Sequence, residues 1–263
     1  MSEEYIFDTG SELGKQQVDF IQVLLDTATV AALEEVAVAP GMRCLEVGAG
    51  GGSIARWMAD RVGDTGGVVA VDLDTTHVEN QPNIEAHRHD ITTGIPVDGT
   101  FDVIHTRQTL MHIAQRETVF KMLVEALAPG GWLIIGDFSA RKLTPLSVPR
   151  ESDRELWNRM QYLSHEVVGP ARGMSFDWAH SVGTKMEEAG LINIDSTETS
   201  RTTRGGDSAC QLHRNLNIQA EPLLAKAGAT SEEMERYREL MLDPRFRAWF
   251  YQLICTRGQK PAA

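Results

Sequence analysis

Short, unbroken apolar runs alternate with stretches of helical spacing through the first half of the chain, and this alternation sets the fold class. Arg43 to Val47, Val68 to Asp72, Ile84 to Arg88, Phe101 to Thr106 and Trp132 to Asp137 read as strands. Between them, Ile54, Met58 and Val62 share one face of a helix that begins at Ser53, and Phe120, Leu123, Val124 and Leu127 share the face of another. A strand apolar on both faces needs cover on both, so the pattern predicts an α/β fold: a parallel sheet between two layers of helices. A length of 263 residues suits one such domain carrying a substantial insertion.

The flanking segments are mostly helical in pattern. Val18, Ile21, Leu25, Ala28, Ala32 and Val36 mark an N-terminal helix stopped by Pro40-Gly41. The stretch 143–149, with two prolines, reads as a linker. Leu156, Met160, Leu163 and Val167 then predict a helix ended by Gly169-Pro170, and a further helix runs from Asp177 to Ala189 with Gly190 closing it. Leu191 to Glu198 reads as a strand, and Pro222 divides the helical pattern of 208–227 in two. Thr230 and Glu233 have capping-box spacing ahead of a helix, and Trp249 to Thr256 is the last expected strand. The expected organisation is an N-terminal helical segment (1–35) contributing to a lid, a ligand-binding core (36–142), a helical acceptor cap (143–190), and a completion of the sheet (191–263) with a helical insertion at about 204–246.

Charge narrows the partners. Lys and Arg number 25 against 37 Asp and Glu, a net charge of −12, with no long basic cluster. Nucleic-acid binding is therefore disfavoured. No window approaches a membrane span and no secretory pattern opens the chain, so a cytoplasmic protein is expected. Cys44, Cys210 and Cys255 are far apart, which argues against structural zinc, and no metal site is expected.

The chemistry-bearing feature is Glu46-Val47-Gly48-Ala49-Gly50-Gly51-Gly52-Ser53, placed between a strand and a helix. Glycines at the carboxyl end of a parallel strand let the backbone approach a ligand, and the N–H groups of the following helix face it. Two nucleotide cofactors compete for such a loop. A dinucleotide fingerprint needs a glycine at the sixth position from Gly48, where Ser53 stands. Asp72 ends the second strand, 20 residues after Gly52, where a carboxylate accepts ribose hydroxyls in either kind of site.

Taken together, these residues resemble the class I S-adenosylmethionine-dependent methyltransferases, most closely the bacterial small-molecule type. Glu46 through Gly52 resembles the family's first motif, and Asp72-Leu73 its second. His89-Asp90-Ile91 resembles the third, Phe101 to Arg107 the fourth, and Leu127 to Trp132 the turn before the fifth strand. The run Leu110-Met111-His112-Ile113 is similar to the small-molecule subgroup. The resemblance implies a Rossmann-like seven-stranded sheet in the order 3-2-1-4-5-7-6 with the last strand antiparallel. It also implies S-adenosylmethionine as methyl donor and S-adenosylhomocysteine as product. By the same resemblance Glu46, Gly48, Ala49, Gly50, Gly52 and Ser53 form the cofactor loop. Asp72 and Leu73 take the ribose, Asp90 and Ile91 the adenine, and the backbone at Thr106 and Arg107 the methionine moiety.

Because the sulfonium methyl is already activated, positioning is the larger catalytic contribution, and a general base is needed only for a nucleophile that starts protonated. Candidate bases are His112, Asp137 and His165; His105, in mid-strand, is expected in the core and His165 at the surface. Candidate acceptor-pocket aromatics are Tyr5, Phe138, Trp157 and Tyr162. The expected activity is methyl transfer to an oxygen, nitrogen or carbon of a small molecule, such as a specialised metabolite in natural-product biosynthesis, by a monomer or homodimer. Rival readings are an NAD(P)-dependent oxidoreductase and a protein that binds S-adenosylmethionine without transferring its methyl. A nucleic-acid methyltransferase is further disfavoured because His105-Thr106-Arg107-Gln108 stands where base-amine enzymes carry an Asn/Asp-Pro-Pro-Tyr-like run.

Overall fold

The computed structural model describes residues 11–78 and 81–262. These described residues fall into two compact units, one within 25–140, 177–199 and 253–262, the other of 11–24, 141–176 and 200–252. Three elements have residues in both: α1 (Glu12–Glu35), β7 (Ile192–Arg204) and β8 (Arg247–Gln259).

The first unit is the sheet unit. Its strands β1 (Arg43–Val47), β2 (Gly67–Asp72), β3 (Ile84–Arg88), β4 (Phe101–Arg107) and β5 (Leu127–Phe138) lie in the order β3-β2-β1-β4-β5, all parallel, with β8 antiparallel beside β5. β7 pairs with β8 in turn. The order is the one expected from sequence, with β7 and β8 as the sixth and seventh strands of that scheme, but the sheet has eight strands rather than seven, because residues 144–147 also pair with β8. Helices α2 (Ser53–Val62), α3 (Arg116–Glu125) and α5 (Trp178–Glu188) belong to the same unit. Leu45, Met58, Ile104, Leu133 and Met186 are fully buried there, as the unbroken apolar strands require.

The remaining unit is helical: α4 (Glu151–Tyr162), α6 (Ser208–Gln219), α7 (Glu221–Lys226) and α8 (Ser231–Leu240). The break at Pro222 and the capping box are as expected. Thr230 Oγ1 accepts from Glu233 N at 3.1 Å, and Glu233 Oε2 accepts from Thr230 N at 2.8 Å. Trp157 is sealed at the centre, with its ring 4.6 Å from Phe250 and 5.1 Å from Phe246.

Four readings need correction. The stretch 143–149 is no plain linker, because it holds β6 (Thr144–Ser147), which pairs with Arg247–Trp249 of β8. β7 and β8 are longer than the strands read from sequence, since polar residues continue both. The helix read through Val167 changes hand-hold at Leu163: residues 163–168 form a π-type turn, closed by Gly169 N donating to Ser164 O. Tyr162 is 58% exposed rather than lining a pocket. Its separation from Trp157 around α4 explains this, because the two side chains leave the helix in different directions.

Truncating Phe246, which is fully buried, to Ala should destabilise the helical unit by about 3–5 kcal/mol. Tyr162→Ala should stay within about 0.5 kcal/mol of the parent. Urea unfolding followed by near-ultraviolet dichroism reads both.

Candidate functional site

The site is built where parallel strands β1, β2, β4 and β5 end on one edge of the sheet. After Val47 the chain turns back under the control of β2: Gly48 N and Ala49 N both donate to Val71 O, at 2.8 and 3.2 Å. Gly48, Gly50 and Gly52 have φ of 76°, 53° and 74°, a conformation costly for any residue with a Cβ. At Gly48 space demands glycine as well. A Cβ there would lie 1.9 Å from Thr109 Oγ1, which is itself held by bonds to the carbonyls of Val47 and Arg107. Gly52 opens α2, and no side chain caps that end, so the first-turn N–H groups face outward.

Asp72 stands opposite this loop. Its Oδ2 accepts from Gly50 N at 2.8 Å and its Oδ1 from Asp74 N at 3.1 Å. Burial raises its carboxyl above the ordinary range, while bonds from the Gly50, Asp74 and Leu73 amides oppose the rise. Leu73 follows with its side chain 45% exposed, an open apolar face beside a carboxylate. Asp90 Oδ1 accepts from both Thr92 N and Thr92 Oγ1, at 2.9 and 2.7 Å, and Ile91 is buried next to it.

Glu46 is committed inward. It is buried, and its Oε2 lies 2.7 Å from Nδ1 of His105 on the neighbouring strand β4. His105 is fully buried, as expected. Thr106 is buried too, whereas the Arg107 guanidinium reaches back to α1, with Nη1 2.8 Å from Asp26 Oδ1 and 3.0 Å from Thr29 Oγ1. Asp26 Oδ1 also accepts from Ser53 Oγ at 3.1 Å. One carboxylate thus ties the start of α2 to the end of β4. Sequence reading missed Asp26; the only signal was an acid next to Leu25 on the apolar stripe of α1.

At the end of β5, Asp137 is 1% exposed, and neither carboxyl oxygen closes a hydrogen bond of normal geometry among the described residues. Burial pushes its carboxyl up to about 8, against the pull of the Met111 and Thr109 amides and the Arg116 charge. His112 stands on the loop after β4, and burial, helped by Arg116, holds its ring at about 4, so it is neutral at neutral pH. Gln108, where the chain leaves β4, is held at φ 52° with its N donating to Gly136 O. Phe138 is half-buried at the last position of β5. These candidates therefore share the carboxyl edge of the sheet.

The others belong to the helical unit or lie elsewhere. Trp157 is core, and Tyr162 is at the surface. His165 is not the surface residue expected, since burial lowers its ring to about 4. Tyr5 lies outside the described residues. Among those described, no cluster of potential metal ligands exists, and no helix is long and apolar enough to cross a membrane.

Left-handed glycines, a cradle that one Cβ would fill, a carboxylate at the end of β2 and an open leucine have the chemistry that a nucleoside needs. The group implied by the sequence motifs fits them. A model of the methyltransferase domain matches residues 21–196, more than half of the chain. The chain belongs to the methyltransferase domain family. In sequence it is 34% identical over 97 residues to methyltransferase str2 of Strobilurus tenacellus, 36% of this chain and 35% of that protein. It is 30% identical over 121 residues to phosphoethanolamine N-methyltransferase 1 of Arabidopsis thaliana, 43% of this chain and 24% of that one. The chain therefore spans about a third or less of these curated relatives. In fold it is similar to phosphoethanolamine N-methyltransferase 2 of Haemonchus contortus, solved with phosphomonomethylethanolamine and S-adenosylhomocysteine. The TM-score is 0.57 at 16% identity, covering 99% of this chain and 60% of that one. The [4+2]-cyclase SpnF shares the fold at a TM-score of 0.55 and 15% identity, over 90% of this chain and 81% of that one.

Two outcomes follow from the geometry. Gly48→Ala should abolish measurable S-adenosylhomocysteine binding by calorimetry and lower the melting temperature, because the new methyl displaces Thr109. Asp137 holds its proton in the folded state to about pH 8, whereas the unfolded chain releases it near pH 4. Its contribution to stability therefore falls as pH rises from about 4 to 8. Asp137→Asn should gain on the parent in melting temperature steadily across that window; a gap that ignores pH would refute the assignment.

Proposed function

We propose that the chain transfers the methyl of S-adenosylmethionine to a nucleophilic oxygen, nitrogen or carbon of a small molecule. The observation that carries this reading is the loop Gly48–Gly52 with Asp72, pinned in the shape a nucleoside needs. Bound there, the donor supplies a methyl group already activated by sulfonium charge.

The protein's share is placement. The turn at Gly48, Gly50 and Gly52 keeps the backbone clear of Cβ atoms, the uncapped first turn of α2 offers its N–H groups, Asp72 offers its remaining lone pairs to a diol, and Leu73 and Ile91 supply apolar contact. Asp90 has an oxygen left over from its bond to Thr92 for an amino donor. Positioning of this kind contributes on the order of 7–11 kcal/mol at its best. Asp137 and His112 are the groups that move or hold an acceptor proton. Asp137, ionising near pH 8, is the better matched base, since a ring held at about 4 takes up a proton only weakly. Natural-product acceptors are one class within this reading.

The test is calorimetry with S-adenosylhomocysteine and with NADH, followed by incubation with methyl-labelled donor and a panel of phenols, amines and carboxylates. Binding of the first ligand alone and label in a product one methyl heavier are expected. No heat for S-adenosylhomocysteine, or heat for NADH instead, would overturn the reading. Asp72→Ala should weaken S-adenosylhomocysteine by about 1–3 kcal/mol through the lost hydrogen bonds.

A further inference from the structure

The carboxylates at the carboxyl edge of the sheet unit are not equivalent. Glu46 is buried and committed to His105 Nδ1 at 2.7 Å. Asp137 is 1% exposed, with both oxygens closed off. Asp72 is turned to the amides of Gly50 and Asp74 at the end of β2. Asp26 differs from all of these. Its Oδ1 accepts from Arg107 Nη1 at 2.8 Å and from Ser53 Oγ at 3.1 Å. Its Oδ2 is left with no hydrogen bond among the described residues, on a side chain that is 33% exposed.

Asp26 is also held still. Arg107 Nη1 donates in addition to Thr29 Oγ1 at 3.0 Å, and that buried hydroxyl donates to Leu25 O at 3.0 Å. A carboxylate whose direction is fixed through one oxygen loses little freedom when the other takes a partner. Asp26, Thr29, Ser53 and Arg107 all belong to the sheet unit.

Strand order says what would arrive there. The strand ends lie in the order β3-β2-β1-β4, with neighbours about 5 Å apart. In the methyl-transfer reading the base sits by Asp90 after β3 and the sugar at Asp72 after β2. The part of the donor that leaves the sugar at its 5′ carbon then runs past β1 toward the end of β4. Arg107 is the last residue of β4 and Ser53 the first of α2, and these are the two residues that fix Asp26. The donor's tail is an α-amino acid, and its ammonium brings positive charge and three donors to an oxygen that only accepts. Arg107 supplies the opposite charge beside Asp26, so the pair matches a zwitterion better than a simple cation.

We infer that Asp26 takes the α-ammonium of the donor, and that the Asp26–Arg107 pair makes the site selective for a nucleoside with an intact amino-acid tail. The inference rests on the methyl-transfer reading for the identity of the ligand. It also gives Glu46 a counterpart: with Glu46 turned inward to His105, the cationic end of the ligand falls to a residue of α1.

Calorimetry on the full chain tests this with S-adenosylhomocysteine and its desamino analogue, which lacks only the α-amine. The parent should bind the analogue about tenfold or more weakly, the loss of one charge-assisted hydrogen bond. Asp26→Asn keeps the shape and an oxygen for Arg107 and Ser53 but removes the charge. The variant should lose about tenfold in affinity for S-adenosylhomocysteine, stay within about twofold of the parent for the analogue, and so lose the preference. Equal affinity of the parent for the two ligands overturns the inference. So does a variant that keeps the parent's preference, or one that weakens both ligands alike, the mark of a residue that only braces the loop. A parent that binds neither ligand overturns the methyl-transfer reading itself.

Discussion

Strand β2 holds the turn that follows β1. Its last two residues do so with two different groups: the Val71 carbonyl takes the amides of Gly48 and Ala49, and the Asp72 carboxylate takes that of Gly50. The pairing of Val47 with Val71 brings those groups level with the turn. A shift of one residue in that register would present a different side chain to the loop and leave the left-handed glycines without support. Asp26 adds a third attachment from α1, through Ser53 and Arg107. The candidate site is therefore a property of strand register first and of individual side chains second.

The chain discloses some of this and withholds the rest for definable reasons. The loop was legible because left-handed backbone admits few residues besides glycine, so its geometry is written in composition. The parallel strands themselves were legible as unbroken apolar runs, whereas their order came from the family resemblance alone. β6 was not, because Pro145 and two hydroxyl residues in Thr-Pro-Leu-Ser look like a linker until a partner strand is known. The far end of β7 was missed because nearly every residue there is exposed, and an exposed strand has no two-residue alternation to betray it. Asp26 belongs to no local motif; its meaning lies in partners many residues away. His165 was read as a surface residue, whereas it lies on the π-type turn with its ring 4.4 Å from Phe176.

Buried polar groups in this protein fall into two sorts. Glu46 with His105, and Asp153 with Arg236, are satisfied by one another and act as fasteners between strands or helices. Asp137 is enclosed without such completion. Unfinished pairs are expensive to keep, and they mark places where something other than stability has shaped the sequence.

In the proposed nucleoside site, Asp72 has a consequence for which nucleosides would enter at all. One of its oxygens already serves Gly50, which fixes the carboxylate's direction and leaves it rich in acceptors with no donor of its own. A sugar with both hydroxyls free meets complementary chemistry there. A sugar phosphorylated on that edge meets like charge in a partly dehydrated setting, where repulsion is strong. A single carboxylate can in this way sort the phosphorylated carriers of the cell from the unphosphorylated ones before any reaction begins.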